Sequence, residues 1–452
     1  MHLLKWLYPG MKVKRWLFLV FLGSLFITAG ATTFTRVRIL GTIEGAIVNS
    51  VQITWGWLPA SLAFVVGGGV LFAAGLSLIF AGVRGTVNSL VGSLAPPGKR
   101  RLAEIVYEKR QLRRGPRVVV IGGGTGLGTL LRGLKEYTSN VTAVVTMADD
   151  GGSSGRIRQE LGIPPPGDIR HTLVALADTE PLMERLFEYR FDWGEGLSGH
   201  SFGNLFIAAM SDITGDFEEA VRQSSRVLAV RGQVLPSTLE RVTLRAEFTD
   251  GTDIEGESSI PAVRKRISRI HLEPPDPPAV REAVQAVEAA DIVVIGPGSL
   301  YTSVLPNLVL PGLADALRRT RALRVYVCNV MTQPGETDGY SASDHVKAVM
   351  DHAGTQVVDC ILVNTSAAPE HLLRKYAAEG AHPVEPDLKK ILILGKHAEG
   401  LPLLCRSGLA RHDSHDLARA VMDLEARMEI GGPMRRLKFL LRRPVSSGAS
   451  SA

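Results

Sequence analysis

Two long apolar runs open the chain, and β-branched runs that end in glycine clusters follow them. From Trp16 to Thr35 there are twenty residues without a charge. A helix of that length spans roughly 30 Å, the thickness of a bilayer's hydrocarbon. A second uncharged run extends from Gly45 to Val83, and its apolar part from Leu58 to Val83 is long enough to cross with tilt. Trp55 and Trp57 stand at its start, where indole rings favour the interface. A cleavable signal would have a shorter apolar region and a small-residue cleavage site, so the pattern predicts two transmembrane helices, about 16–35 and 58–83.

At Arg117 the period changes. RVVVIGGGTGLG is a β-branched run that ends in glycines, followed by the helix-compatible TLLRGLKEY and then VTAVVTM. Strand, glycine turn, helix and strand in that order predict an α/β fold, a Rossmann-like doubly wound, mostly parallel sheet. Further buried strands are expected at 291–295, 324–330 and 359–363, with helices at 278–290 and 313–321. Val242, Leu244, Ala246 and Phe248 alternate with polar residues up to Asp250-Gly251, which predicts an antiparallel hairpin insert over 242–257. The resulting division is a membrane anchor (1–90), a basic linker (91–115), a nucleotide-binding domain (116–432) and a basic, partly disordered tail (433–452).

Composition agrees with this and adds orientation. The chain has 452 residues, 45% hydrophobic and 21% charged, too apolar for a disordered protein. Three cysteines exclude a disulfide scaffold and fit a reducing compartment. Lys5, Lys12, Lys14 and Arg15 precede the first span without an acid, and residues 84–114 hold eight basic residues against Glu104 and Glu108. The positive-inside rule then predicts a two-pass protein of the inner membrane, with both termini and the main domain in the cytoplasm. The basic tail (Arg435, Arg436, Lys438, Arg442, Arg443) lacks the aromatic interleaving of a nucleic-acid site, so no nucleic-acid partner is expected.

Three glycine-rich loops carry the candidate chemistry. The first is Gly122-Gly123-Gly124-Thr125-Gly126-Leu127-Gly128, where glycine admits a phosphate close to the backbone and the next helix presents free N–H groups. It is neither a strict G-x-G-x-x-G nor a P-loop, so the nucleotide stays open. The second, Asp149-Asp150-Gly151-Gly152-Ser153-Ser154-Gly155-Arg156, combines hydroxyl and backbone donors with two carboxylates that suit Mg²⁺. The third, Gly296-Pro297-Gly298-Ser299, follows the buried strand at 291–295. Between them, Gly167-Asp168 with His171, and His200 with Asn204, gather polar groups ahead of apolar helices; either histidine is a candidate for proton transfer.

GGGTGL, ADDGGSSGR, PPGDIRHTLVALAD, GHSFGNL, GPGSLYTSVLPNL and NVMTQPGETDGYSASDHV, in that order, resemble the bacterial gluconeogenesis-factor family (YvcK-like proteins) of the CofD, or 2-phospho-L-lactate transferase, superfamily. The likeness covers roughly residues 115 to 430. It implies a regulator of cell shape and envelope synthesis on gluconeogenic carbon sources that binds a UDP-sugar, UDP-N-acetylglucosamine or UDP-glucose. By the same resemblance, Thr125 would touch the diphosphate, and Asp149, Asp150 and Asp168 would be the catalytic-type carboxylates of the cleft, with Asp150 the metal ligand. Gly296, Gly298 and Ser299 would close the phosphate side. The superfamily's Gly-Asp-Arg-Asp acceptor stretch is not visible between Ala177 and Asn204, which sets deazaflavin transfer apart from this chain. A Mg²⁺-dependent transferase of a phosphoryl-linked group is the alternative to a binding regulator; a nicotinamide oxidoreductase fits less well. Partners would be unidentified envelope-synthesis proteins, and a homodimer is compatible with the pattern.

Overall fold

The structure, a computed structural model, describes residues 14–35, 49, 60–94, 110–178, 181–405 and 408–427. Trp55, Trp57, most of the linker and the basic tail lie outside the described residues. The chain divides into two units, Met1–Glu108 and Lys109–Ala452.

In the first unit, α1 (Lys14–Thr35) and α2 (Ala60–Leu94) are both long and apolar enough to cross a membrane. α2 continues past the expected end at Val83, because Arg84 is followed by the uncharged Gly85–Leu94 with no proline to stop it. The two helices pack through glycines spaced seven apart. A Cβ on Gly23 would lie 2.7 Å from the Gly75 carbonyl oxygen, and one on Gly30 would lie 2.8 Å from that of Gly68. Trp16 meets Gly82 in the same antiparallel register. Small residues let helix backbones approach where apolar burial gives no drive. Phe18, Phe21, Val70 and Phe80 face outward, an arrangement foreign to a soluble core helix.

The second unit is built on a seven-stranded sheet in the order β10-β9-β8-β7-β1-β2-β3. Its strands are β1 (Val118–Gly122), β2 (Val141–Val145), β3 (Gln233–Pro236), β7 (Ile292–Ile295), β8 (Leu323–Val327), β9 (Cys360–Asn364) and β10 (His397–Leu401). Every pairing is parallel. β1, β7 and β9 are buried throughout, as expected of strands covered on both faces by helices. From β1 the chain winds one way to β2 and β3, then returns to β7 and winds the other way. The order therefore reverses between β1 and β7, where such folds open a ligand crevice. β3 and β10 were not anticipated. β3 is four residues long and ends in proline, and β10, His397–Leu401, has no buried residue, so neither shows a β-branched run.

The predicted insert is larger than a hairpin. β4 (Thr243–Phe248) and β5 (Asp253–Glu255) pair antiparallel around Asp250-Gly251 as expected, and β6 (Ile267–Glu273) adds on the other side of β4. β6 escapes the sequence pattern because Arg269 and His271 interrupt its apolar positions. Of the helices, α3 (Gly124–Leu134), α4 (Gly152–Leu161), α5 (Gly167–Leu176) and α6 (Phe202–Thr214) frame the crevice, and α7 (Ser414–Arg427) packs on α3.

Two substitutions test this packing. In full-length protein held in detergent, Gly75→Leu should lower the thermal midpoint of the helical signal, whereas Gly69→Leu, where a Cβ meets nothing within 4 Å, should not. In the second unit a Cβ on Gly133 would fall 2.0 Å from the Ser414 carbonyl oxygen. Gly133→Ala should therefore cost about 1–3 kcal/mol in urea unfolding, the usual penalty of overpacking.

Candidate functional site

The loops that follow β1 and β7 touch through their backbones. A Cβ on Gly126 would sit 3.0 Å from the Pro297 carbonyl oxygen, and one on Gly298 would sit 3.0 Å from that of Gly123. These glycines are therefore favoured by loop-on-loop packing, whatever else they bind. Gly122 lies beside Gly296 in ordinary contact, with 3.7 Å from its built Cβ to the Gly296 Cα. Gly124 (φ +67°) and Gly152 (φ +47°) take the left-handed conformation, and Gly152 has open space where a side chain would be.

The helices that start here begin without side-chain caps. Gly123 precedes α3, Gly151 precedes α4 and Pro166 precedes α5, none of which makes a side-chain cap, and among the described residues no side chain accepts from their first-turn N–H groups. By contrast, Ser201 caps α6 by accepting from the Asn204 N–H. Uncapped helix starts leave donors and a positive dipole end for an anion. Thr125 is exposed in the first turn of α3.

Carboxylates face these donors. Asp149 Oδ1 accepts from the Gly151 N–H at 2.9 Å, and its Oδ2 lies beside Gly167. Asp168 Oδ2 packs on Gly123, where a Cβ would be 2.3 Å away. Burial, then repulsion from Asp168, pushes the Asp149 carboxyl above its ordinary range. Asp150 Oδ1 accepts from the Ser258 N–H of the three-stranded insert at 2.9 Å. Beside Ser258 stands Glu257, half-buried, which burial and the nearby Asp149 and Asp150 push up to about 8.

A buried polar chain runs from the second loop to the GHSFGN segment. Asn204 Nδ2 donates to Ser153 Oγ at 3.1 Å, and Ser153 Oγ lies 3.0 Å from His200 Nδ1. Desolvation, then Arg156, lowers the His200 pKa. His171 instead accepts from Arg170 through Nε2 at 2.6 Å, with Nδ1 3.9 Å from Asp168. The third loop is engaged internally. Glu336 accepts from the Tyr301 N–H at 3.2 Å and from the Thr302 hydroxyl at 3.2 Å, and Gln333 donates to Ser299 Oγ. Burial pushes Glu336 up to about 7.

The structure thus brings together Asp149, Asp150, Asp168, His200, Asn204 and all three loops at one sheet edge. Glu257 and Glu336 are the residues that sequence reasoning missed. Glu336 lies in the QPGET stretch, whose position next to the third loop no local pattern reveals. Oxygen donors of this kind suit Mg²⁺, but one oxygen of Asp149 and one of Asp150 are already engaged. Among the described residues no three His, Cys, Asp or Glu side chains converge as a metal-binding set. The residues fit a cation shared with ligand phosphates rather than an all-protein cage. Shallow, open pockets of about 270 and 220 Å³ lie instead along β3 and beside β10, the two outer strands of the sheet; the crevice is preferred because the donors and acids converge there.

Comparison with known proteins finds relatives for most of the chain. The family described as 2-phospho-L-lactate transferase CofD matches residues 118–403. The gluconeogenesis factor of Bacillus subtilis is 49% identical over 68% of this chain and 98% of its own length. A relative in Nostoc sp. is 47% identical over 92% of this chain and 91% of its own, so that likeness reaches into the first unit. The crystal structure of protein BH3568 from Bacillus halodurans is 51% identical, with a TM-score of 0.67, and covers 68% of this chain and 100% of that one.

The acids generate a pH prediction. A carboxyl whose folded pKa is raised binds a proton more tightly folded than unfolded, so its contribution to stability falls as pH rises between its unfolded and folded values. For Glu257 that window runs from about 4.5 to about 8. Urea midpoints should decline across it, and Glu257→Gln should flatten the decline; an unchanged slope would remove Glu257 from the cluster.

Proposed function

This chain belongs to the CofD family and, within it, to the gluconeogenesis factors, and we propose that its crevice holds a UDP-sugar, UDP-N-acetylglucosamine or UDP-glucose, as the input of a regulator. The observation that carries this is the convergence of three uncapped helix N-termini at the reversal point of the sheet. The diphosphate would lie against the first turns of α3 and α4, taking N–H groups at Gly124 to Gly126 and at Gly152 to Ser154, with the Thr125 hydroxyl beside it. The neighbouring carboxylates favour company from a cation such as Mg²⁺, which would neutralise phosphate charge there.

The reading as a binding regulator draws its support from the relatives and from the helix starts. In the crevice the Ser153 hydroxyl is held between Asn204 and His200, and Asp150 anchors the insert. Transfer of a phosphoryl-linked group is the reading that a cleaved diphosphate would favour instead. The regulator would act on cell shape and envelope synthesis on gluconeogenic carbon sources, through envelope-synthesis proteins. The α1–α2 hairpin would anchor it in the inner membrane with the α/β unit in the cytoplasm, as the flanking basic residues suggest.

Calorimetry of the purified full chain should show heat with UDP-N-acetylglucosamine or UDP-glucose and little with GDP or NAD; silence with both UDP-sugars would remove the proposal. Thr125→Ala should weaken binding by about 2- to 10-fold, the range of one hydrogen bond, and leave the thermal midpoint unchanged because the side chain is exposed.

A further inference from the structure

The two outer strands of the seven-stranded sheet end it differently. In parallel pairing, alternate residues bond to the neighbouring strand, and those between them point their backbone groups away. On β3 the Ser237 N–H donates to the Val145 carbonyl, so Gln233 and Leu235 face β2 while Val234 and Pro236 face outward. Proline offers no N–H, and Val234, Leu235 and Pro236 are buried, so this edge is closed. On β10 the His397 N–H donates to the Asp359 carbonyl, and the Leu401 carbonyl accepts from the Thr365 N–H. Ala398 and Gly400 therefore turn their N–H and C=O groups away from β9. Among the described residues neither N–H finds an acceptor, and no residue of this strand is buried. Lys396, at the head of the strand, gives its ammonium to the Val358 carbonyl at 2.8 Å and does not guard the edge.

Beside this edge lies the shallow pocket of about 220 Å³, between β10 and α7. Its wall holds Glu399, Asp416 and Asp423 with one base, Arg419, which pairs with Asp416 at 2.9 Å. Leu401 supplies apolar lining. α7 ends at Arg427, and residues 428–452 lie outside the described residues. Their sequence sets Arg435, Arg436, Lys438, Arg442 and Arg443 around Leu437, Phe439 and Leu441, with no acid from Met434 to Pro444.

We propose that the segment 435–443 docks on the open edge of β10 as an added strand, so that the chain covers its own sheet edge. Leu437, Phe439 and Leu441 recur at the period of a strand and share one face, while Arg436, Lys438, Leu440 and Arg442 share the other. An added strand draws affinity from main-chain hydrogen bonds, which Ala398 and Gly400 offer, and specificity from its alternate side chains. The segment's positive charge is opposite in sign to a pocket wall of three acids and one base. Reach is sufficient. The seven residues from Met428 to Met434 extend to about 25 Å, against about 21 Å for the whole of α7, and Gly431-Gly432-Pro433 among them favours a turn. The segment can therefore come back along the helix that lines the pocket. A second copy fits the edge less well, because it would bring the same acids to face their own.

Amide hydrogen exchange of the full chain, in nanodiscs with and without phosphatidylglycerol, tests the proposal. The Ala398 and Gly400 amides should exchange about 10-fold or more slowly in the full chain than in a chain ending at Gly432. Phe439→Pro, which removes a donor and disfavours a strand, should speed their exchange in the full-length protein in the same direction. The Val234 and Leu235 amides of β3 should be unchanged in both variants, which separates an uncovered edge from a damaged fold. Equal exchange of Ala398 and Gly400 in all three chains, whether fast or slow, would overturn the proposal. Protection that grows with protein concentration would assign the edge to a second copy and overturn it too. Protection present in neutral discs but lost with phosphatidylglycerol would give the segment to the lipid surface, and that result also overturns it.

Discussion

The site depends on the backbone contact between the loops that leave β1 and β7. Where the sheet order reverses, two parallel strands end side by side, and their following loops must turn away without separating the strands. Gly126 against Pro297 and Gly298 against Gly123 make that possible, because a Cβ at either glycine would press on a carbonyl oxygen at 3.0 Å. The contact fixes where α3 begins. Asp168 then packs on Gly123, and Ser154 and Asp149 pack on Gly167, so α4 and α5 start within the same small volume. Donors and acids end up interleaved because the loops that carry them have no room to spread.

Much of this was legible in the chain. β1, β2, β7, β8 and β9 are β-branched and buried on both faces, so their runs stand out, and the glycine clusters mark where the crevice opens. In the structure Gly126 and Gly298 press on backbone, Gly124 and Gly152 take the left-handed conformation, and only Gly152 of these has open space where a side chain would be. Glu257 and Glu336 were not legible. Each reaches the crevice from a segment far along the chain, and its significance lies in company that only the tertiary fold supplies. Loop 296–299 shows the same limit: by resemblance it would close the phosphate side, yet its Ser299 hydroxyl oxygen accepts from Gln333, and the Tyr301 N–H and Thr302 hydroxyl that follow are taken by Glu336.

The first unit obeys a different rule. Its helices meet at glycines in a seven-residue rhythm and turn aromatic side chains outward, the packing expected where lipid replaces water. The gluconeogenesis factor of Bacillus subtilis covers 68% of this chain and 98% of its own length, so it is similar to only part of this chain.

The central claim is that a nucleotide diphosphate lies on the uncapped starts of α3 and α4. Backbone amide chemical shifts of ¹⁵N-labelled protein during titration with UDP-glucose test it directly. The account predicts the largest movements at Gly124, Thr125, Gly152 and Ser153, with little change at the capped start of α6. Saturation of the ligand with those four amides unmoved would contradict it.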